Sequence, residues 1–224
     1  MGLRTPRSSV VKKYAPSYKK EMAPLFESAS TPFDLTIADP VSGRGGSSCN
    51  ITDSNGQPVV FQIGTLPQPL QSPFGAGVFG SAEDNQKATR LNLDFDVSQR
   101  ADLQQKFEAL DAQIMQWLEQ NKEKIKVKSI EEAYKPCIID DEKYGTRRFR
   151  TKLNTAGLHS CKAWSAETKE RIPDLKAINF RECPCVAHVQ ISKIWCMAKQ
   201  IGITLECKSA VITQADEAFP LDME

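Results

Sequence analysis

Apolar and polar residues alternate most regularly in the C-terminal part of the chain, from Val186 to Ile212. Val186–Cys196 is rich in β-branched and aromatic residues, and Ile203–Ile212 follows with the period of two that is typical of strands. Gly202 provides the backbone freedom of a turn between them. The pattern predicts a β-hairpin. One face of its second strand is expected to carry Ile203, Leu205, Cys207, Ser209 and Val211.

Three segments nearer the N-terminus also have the pattern of strands. Apolar and polar residues alternate over Phe33–Ile37, and Val59–Ile63 follows Asn55-Gly56, a dipeptide typical of hairpin turns. In the third segment, residues 89–96, the alternation predicts one face with Thr89, Leu91, Leu93 and Phe95. The polar face of that strand is expected to carry Arg90, Asn92, Asp94 and Asp96.

The segment Ser98–Lys124 has the period of a helix instead. Ser98 is the expected N-cap, and the lysine-rich end suits the negative pole of the helix dipole. Glu108 and Asp111 are expected to face solvent. The apolar residues recur at spacings of three and four and form a single stripe. That stripe consists of Leu103, Phe107, Leu110, Ile114 and Leu118.

These elements predict a mainly β (α+β) fold, an OB-like β-barrel with one long amphipathic helix. A β-sandwich would leave nearly the same pattern. The single domain is expected to span residues 31–212. Residues 1–30 are basic, interrupted by proline and without periodicity, so we expect a flexible basic arm there. Residues 213–224 contain four acids and no base, which predicts an acidic C-terminal tail.

The distribution of charge is more informative than its sum. The formal net charge of +1 gives no argument for a nucleic-acid-binding protein. The basic arm, however, suggests an anionic partner, and the acidic tail suggests a segment that mimics this partner. The most basic run of the central region predicts a strand. Its Arg148, Arg150 and Lys152 point to one face, and Arg147 and Phe149 point to the other. Such a row follows a phosphate backbone well. The alternative is a solvated strand face that neighbouring acids balance.

The cysteines and histidines provide an alternative from another class. Five potential soft or imidazole ligands within thirty residues suggest a zinc site or a thiol-redox pair. The spacing is unlike that of standard structural sites, so buried or edge thiols are the default interpretation and no metal is predicted. The ligands of the alternative zinc site would be His159, Cys161, Cys183, Cys185 and His188.

Other motifs exclude more than they indicate. The chain has two histidines, neither in a nucleophile motif, and its adjacent acids lie in polar runs, so we predict that the protein is not an enzyme and needs no cofactor. No segment has the length or pattern of a membrane span or of a secretory signal. The seven cysteines are an odd number in a chain too long to need disulfides, which predicts an intracellular protein.

The terminal hairpin also resembles a known family. Its Ile194-Trp195, its short linker, its Gly202-Ile203-Thr204-Leu205 strand and the acidic end resemble the C-terminal part of the phage T7-type single-stranded DNA-binding proteins and their relatives in large DNA viruses of algae and protists. Upstream, only the order of elements matches: a Pro73-Phe74-Gly75 turn, a strand, one helix and basic strands. The resemblance implies an OB-fold and an acidic tail that regulates binding.

Together these observations predict a single-stranded DNA-binding protein without sequence specificity, which acts in viral DNA replication, recombination or repair. Bases would stack on aromatic rings while basic residues neutralise phosphates. The expected DNA contacts are Lys87, Arg90, Tyr144, Arg147, Arg148, Phe149, Arg150, Lys152, Trp164, Lys193, Trp195 and Lys199. By resemblance, the tail occupies the basic groove when DNA is absent and recruits replication proteins when DNA is bound. The tail residues expected to do so are Asp216, Glu217, Phe219, Asp222 and Glu224.

The expected partner is therefore single-stranded DNA, and a homodimer is left open. The expected location is the nucleus or a viral replication compartment, without membrane association. Two alternatives remain: a structural or virion-associated interaction protein that does not bind nucleic acid, and the small zinc or thiol protein.

Overall fold

The structure is a computed structural model of the chain, and it describes residues 23–43, 45–78, 82–125, 127, 129–197 and 199–213. Its helices are α1 (Ala82–Lys87), α2 (Ala101–Gln120), α3 (Lys122–Ile125) and α4 (Ile130–Ala133), with 3-10 turns at Phe26–Ser28 and Leu175–Ala177. Its strands are β1 (Thr36–Ile37), β2 (Val41–Gly43), β3 (Gly46–Thr52), β4 (Val59–Ile63), β5 (Ala76–Gly77), β6 (Arg90–Asp96), β7 (Tyr134–Lys135), β8 (Ile138–Asp141), β9 (Thr146–Asn154), β10 (Lys162–Ser165), β11 (Arg171–Ile172), β12 (Cys185–Met197) and β13 (Gln200–Ile212).

The strands join in one sheet around the hairpin of β12 and β13, each 13 residues long. The main path through the sheet is β1-β3-β12-β13-β9-β6-β5. The predicted C-terminal hairpin is confirmed, and so is the mainly β fold with one long amphipathic helix. The prediction that Gly202 lies in the turn of the hairpin is wrong, because β13 begins at Gln200 and Gly202 pairs with Trp195 within it. Among the described helices, none is both long enough and apolar enough to cross a membrane.

The alternation along β13 does not continue to its end. Between Cys207 and Ser209 the strand contributes one residue more than β12, so the register shifts. Beyond this point Ala210 and Ile212 are buried. The prediction that Ser209 and Val211 share the face of Cys207 is therefore wrong, because an extra residue in one strand turns the following side chains over.

The Asn55-Gly56 turn is confirmed, but the hairpin that it suggested is not. Gly56 has a φ of +75°, and its N–H donates to the carbonyl of Asp53 at 3.0 Å. Nevertheless, β3 and β4 do not pair with each other within the described sheet. Each pairs with β12, β4 along its first half and β3 along its second, because a 13-residue strand accommodates two short partners in succession.

The apolar stripe of α2 lies in the hydrophobic core, as its spacing predicts. All five residues of the stripe are at most 1% exposed. Phe107 is central, with its ring centroid 4.7 Å from that of Phe26 and 4.6 Å from that of Phe149. The helix thus joins the sheet to the segment before β1.

The predicted arm is too long at its C-terminal end. Phe26 is 1% exposed and packs in the core, and Glu27 forms an ion pair with Arg100 next to α2. This part is therefore not a flexible arm, because burying a phenylalanine side chain contributes about 1.5–3 kcal/mol. Residues 1–22, which contain the basic part of the predicted arm, lie outside the described residues.

The helix begins at Ala101, three residues after the predicted N-cap. Ser98 does not cap it. Its hydroxyl donates to Asp96 at 2.6 Å and accepts the backbone N–H of Arg147 at 2.9 Å. Ser98 therefore connects the end of β6 to the start of β9 instead of starting the helix.

The prediction that Asp111 faces solvent is wrong, whereas Glu108 is exposed as predicted. The carboxylate of Asp111 is buried and accepts two hydrogen bonds, from the hydroxyl of Tyr134 at 2.6 Å and from the backbone N–H of Cys137 at 2.9 Å. Burial raises the pKa of Asp111 because it removes water from the charged form, although both hydrogen bonds act in the opposite direction. The residue ties α2 to the segment around β7.

A buried carboxyl with a raised pKa makes stability depend on pH. The contribution of Asp111 is fully present below the pKa of an unfolded aspartate, about 4, and is lost as the pH rises through the higher pKa of the folded state. We therefore expect the advantage in unfolding free energy of the native chain over Asp111→Asn to shrink from pH 4 towards neutrality. Urea unfolding at a series of pH values measures this difference in unfolding free energy. The exposed substitution Glu131→Gln is the control. A difference that does not change with pH would contradict the expectation.

Candidate nucleic-acid interface

One face of the β6–β9 pair carries the basic residues that the sequence singles out. The two strands are antiparallel, with Asn92 opposite Lys152, Asp94 opposite Arg150 and Asp96 opposite Arg148. The alternate residues of both strands are buried in the core. The predicted assignment of faces is confirmed for both strands, and Arg148, Arg150 and Lys152 form a row on the outer face.

Asp94 holds two of these residues in place. It is only 4% exposed and accepts hydrogen bonds from Nε and Nη2 of Arg150, at 2.7 and 2.9 Å, and from Nη1 of Arg148. Arg148 also donates to Asp141, at 3.3 Å. The bonds to Asp94 raise the pKa of Arg150 despite its partial burial. Two guanidinium groups therefore lie against two carboxylates, and their formal charges cancel.

The rest of the row is also engaged with neighbouring groups. Lys152 Nζ donates to the side-chain oxygen of Asn92 at 2.6 Å. Burial lowers the pKa of Lys152, and the charges of Arg90 and Arg150 lower it further. Arg90 lies 3.1 Å from Glu206 of β13. The outer face is thus a network of paired charges, and not the open row of cations that the sequence suggested.

Two exposed aromatic rings lie above this network. Phe74 is 40% exposed at the third position of a turn that the Gly75 N–H closes onto the carbonyl of Ser72 at 3.0 Å. Proline at the second position, as Pro73 is here, favours such a turn. Tyr144, 57% exposed, belongs to the turn between β8 and β9. The two ring centroids are 5.4 Å apart, and the ring planes are inclined at 69°.

Each ring also has a cation over it. The guanidinium carbon of Arg148 lies 5.0 Å from the centroid of Phe74, and Nζ of Lys143 lies 5.1 Å from that of Tyr144. Cations at such distances are attracted to the ring faces. Because Arg148 is also bonded to Asp94, the position of the Phe74 ring depends on the buried carboxylate.

The rings and the charge network enclose the Phe74–Tyr144 cleft, a cavity of about 300 Å³. It opens to solvent on the outer face of the sheet. Its lining residues include Phe74, Gly77, Asn92, Asp94, Tyr144, Arg148 and Arg150. The cleft therefore combines aromatic surface with fixed polar groups, which is a common composition for ligand sites.

Three of the predicted DNA contacts lie in the cleft, namely Tyr144, Arg148 and Arg150, with Lys152 and Arg90 beside it. The prediction for Phe149 is wrong. Its ring is fully buried and packs on Phe95 and Phe107, so no base can stack on it.

Two predicted cations lie away from the row. Arg147 points to the other face of β9, where it donates to Asp140 at 2.6 Å and to Gln104 of α2. Lys87 lies on α1 and forms an exposed ion pair with Glu83 at 3.0 Å. Neither residue lines the cleft.

The remaining predicted contacts lie at the two ends of the C-terminal hairpin. Trp195 is opposite Gly202, close to the turn that contains Lys199, and its ring covers this glycine: an added Cβ would lie 2.6 Å from the ring. Lys193 lies two residues away along β12. Trp164, on β10, is beside Val211 at the other end of β13. The predicted contacts thus form no single cluster.

Sequence reasoning missed two residues that the cleft depends on. The sequence indicates Phe74 only as part of a turn. The signal that could have identified it is the proline before it and the glycine after it, which favour a tight turn with the phenylalanine side chain exposed. It places Asp94 only on the polar face of β6. The role of Asp94 depends on the register between β6 and β9, which residue patterns within one strand do not reveal.

The alternative zinc site has no ligand set among the described residues. No group of three or more histidine, cysteine, aspartate or glutamate side chains there is arranged to hold a metal ion. Instead, Sγ of Cys161 lies 3.7 Å from Sγ of Cys207, and Nδ1 of His188 lies 2.9 Å from the hydroxyl of Ser209. The predicted regulatory tail, from Asp216 to Glu224, lies outside the described residues.

The buried position of Asp94 predicts a large effect of removing it. Asp94→Ala removes the buried carboxylate that two partly buried guanidinium groups share, so we expect the unfolding free energy to fall by about 3–5 kcal/mol. Asp140→Ala is the matched control, because this aspartate also bonds an arginine of β9, at 2.6 Å, but its side chain is 63% exposed. An exposed pair contributes about 0–1 kcal/mol. Urea denaturation of both variants measures the difference, and equal losses would contradict this account of the cleft.

Comparison with known proteins gives matches only among solved structures. No family model and no curated protein sequence matches the chain. The gp2.5 single-stranded DNA-binding protein of bacteriophage T7 is 11% identical, with a TM-score of 0.44, and the match covers 70% of this chain and 87% of that one. The single-stranded DNA-binding protein of bacteriophage Enc34, in complex with single-stranded DNA, is 12% identical, with a TM-score of 0.46, and the match covers 81% and 98%.

The predicted resemblance to phage T7-type single-stranded DNA-binding proteins is confirmed in that such proteins, from phage T7 and phage Enc34, are among the solved structures that match. The resemblance to relatives in large DNA viruses of algae and protists stays a prediction. Because the TM-scores lie below 0.5, the function is inferred from the cleft and not from these matches.

Proposed function

We propose that the protein binds single-stranded DNA, without sequence specificity, through the Phe74–Tyr144 cleft. The observation that carries this proposal is the pair of exposed rings 5.4 Å apart, each with a cation over it. Every base offers a flat face for stacking, whereas the bases of a duplex are already stacked and paired. An aromatic cleft with nearby basic groups therefore favours a single strand. The proposed activity is binding and not catalysis.

The rest of the strand would follow the outer face of the sheet towards Trp195. Glu206 is opposite Lys152 in the parallel pairing of β13 with β9, and Gly202 is opposite Trp195 in the hairpin. Gly202 and Glu206 are four residues apart, so they share a face and lie about 13 Å from each other. This continuity supports Trp195, Lys193 and Lys199 as a second contact region.

Three finer points extend the proposal. We infer a role in viral DNA replication, recombination or repair, as the resemblance implies. The acidic tail would occupy the basic surface in the absence of DNA and bind replication proteins in its presence. Lys143, close to Tyr144, is added to the residues that would meet phosphate.

Loss of either ring should weaken the binding of a single strand. For Phe74→Ala and Tyr144→Ala we expect Kd to rise roughly 5–150-fold each, since a base stack contributes about 1–3 kcal/mol. Tyr144→Phe keeps the ring and should bind almost like the native chain. Leu158→Ala, which removes a fully exposed apolar side chain elsewhere, is the matched control.

Fluorescence anisotropy with a labelled oligothymidine of about 30 nucleotides measures these affinities, with the matching duplex in parallel and across a salt series. Native protein that binds neither oligonucleotide at low salt, with and without residues 214–224, would exclude the proposed function. It would favour the structural or virion-associated alternative instead.

The acidic tail can be tested separately. A chain that ends at Thr213 should bind the single strand more tightly than the full chain, most clearly at low salt, because four competing carboxylates are removed. A full-length variant with Asp216, Glu217, Asp222 and Glu224 changed to the corresponding amides separates charge from length. Unchanged or weaker binding by both variants would rule out competition by the tail.

A further inference from the structure

We propose that the Phe74–Tyr144 cleft receives a nucleobase and keeps the phosphates of the same strand outside. This inference rests on the proposed function and specifies which chemical part of the strand the cleft binds. It replaces the expectation that the arginines of β9 neutralise phosphates. It follows from the charge, the shape and the fixed polar groups of the cleft.

The charge of the cleft argues against phosphate. Arg148 and Arg150 are its two cations, and both are bonded to Asp94, while Arg148 also bonds Asp141. All four groups lie in the lining, so two positive and two negative charges cancel. A phosphate that entered would meet two carboxylates as well as the two guanidinium groups. A neutral heterocycle meets no such repulsion.

The shape of the cleft suits a flat ring. A cavity of about 300 Å³ is at the lower limit of small-molecule pockets, about 300–1,000 Å³. The T-shaped arrangement of Phe74 and Tyr144 offers one ring face and one ring edge, so a base that stacks on either ring meets the other at its rim. The ring faces offer no hydrogen-bond donors to a tetrahedral anion, and the only donor on these two side chains is the hydroxyl of Tyr144.

The polar groups of the cleft are already arranged by one another. Asn92 accepts the ammonium group of Lys152 at 2.6 Å, and Asp94 accepts three hydrogen bonds from the two arginines. Asp94 is 4% exposed, so these bonds are protected from water. Groups fixed in this way can meet the edge of a base without reorganising. Phosphate contact is then expected at Lys143, and along the outer face at Lys193 and Lys199.

The test compares a labelled oligothymidine of about 30 nucleotides with an abasic oligomer of the same number of phosphates, in the full chain and across a salt series. The native protein should bind the abasic oligomer less tightly. In the double variant Phe74→Ala/Tyr144→Ala, this preference for bases should fall roughly tenfold. The slope of log Kd against log salt concentration should not change, because this variant keeps every lysine that meets phosphate. In Lys193→Ala/Lys199→Ala, the slope should become shallower, by about 0.7 for each phosphate that is no longer neutralised.

Cross-linking provides a readout that needs no variant. Oligonucleotides that contain 5-iodouracil, irradiated in complex with the native chain, should attach to Phe74 or Tyr144. The inference is overturned if the double variant keeps the full preference for bases, if its salt slope falls by about 0.7 or more, or if neither residue cross-links. A native chain that does not bind the oligothymidine overturns the proposed function itself, which is a distinguishable result.

Discussion

The pairing of β12 with β13 is the interaction on which the rest of the structure depends. Within the described sheet, every strand except β5 pairs with one of these two or with a strand that does, and β5 is attached through β6. β12 holds β3 and β4 along its outer edge, and β13 holds β7, β9 and β10 in parallel. The basic strand β9 is attached to β13 by two residue pairs only, and β6 is attached through β9. The hairpin therefore sets the position of β9, and the cleft lies on the outer face of β9 and β6.

A buried carboxylate is the second constraint, and it connects stability to the site. Asp94 would be costly to bury alone, and the two arginines would be costly to hold side by side without it. Together they form a rigid and neutral base for the two rings, because Arg148 contacts both Asp94 and Phe74. Binding energy would then come from stacking, while long-range attraction of DNA would come from lysines nearer the edges of the outer face. Separating these tasks would allow a chain with a net charge of +1 to bind a polyanion, as proposed.

Patterns within single elements were predictable, and relations between elements were not. The stripe of α2 and the faces of β6 and β9 follow directly from periods of 3.6 and 2, because one face of each element is buried. Asp111 lies at the border of the apolar stripe, four residues after Phe107 and three before Ile114. Its burial is decided by the segment around β7, which packs over it and covers it. Phe149 is an aromatic residue within a basic run, which suggested that a base stacks on it. Only the position of α2 shows that its ring is buried. The register that brings Asp94 between two arginines involves residues more than fifty positions apart.

The position of the hairpin along the chain has a consequence for biosynthesis. β7, β9 and β10 all precede β13, yet each forms its parallel pairing with β13. On the ribosome these strands therefore emerge before the strand that they pair with, and a domain generally folds as a unit. Until β13 has been synthesised, β9 can pair only with β6 and β8 among the described strands, and its remaining edge is open. We therefore expect the sheet to complete late, and the nascent chain to need protection of that edge from aggregation between the synthesis of β9 and that of β13.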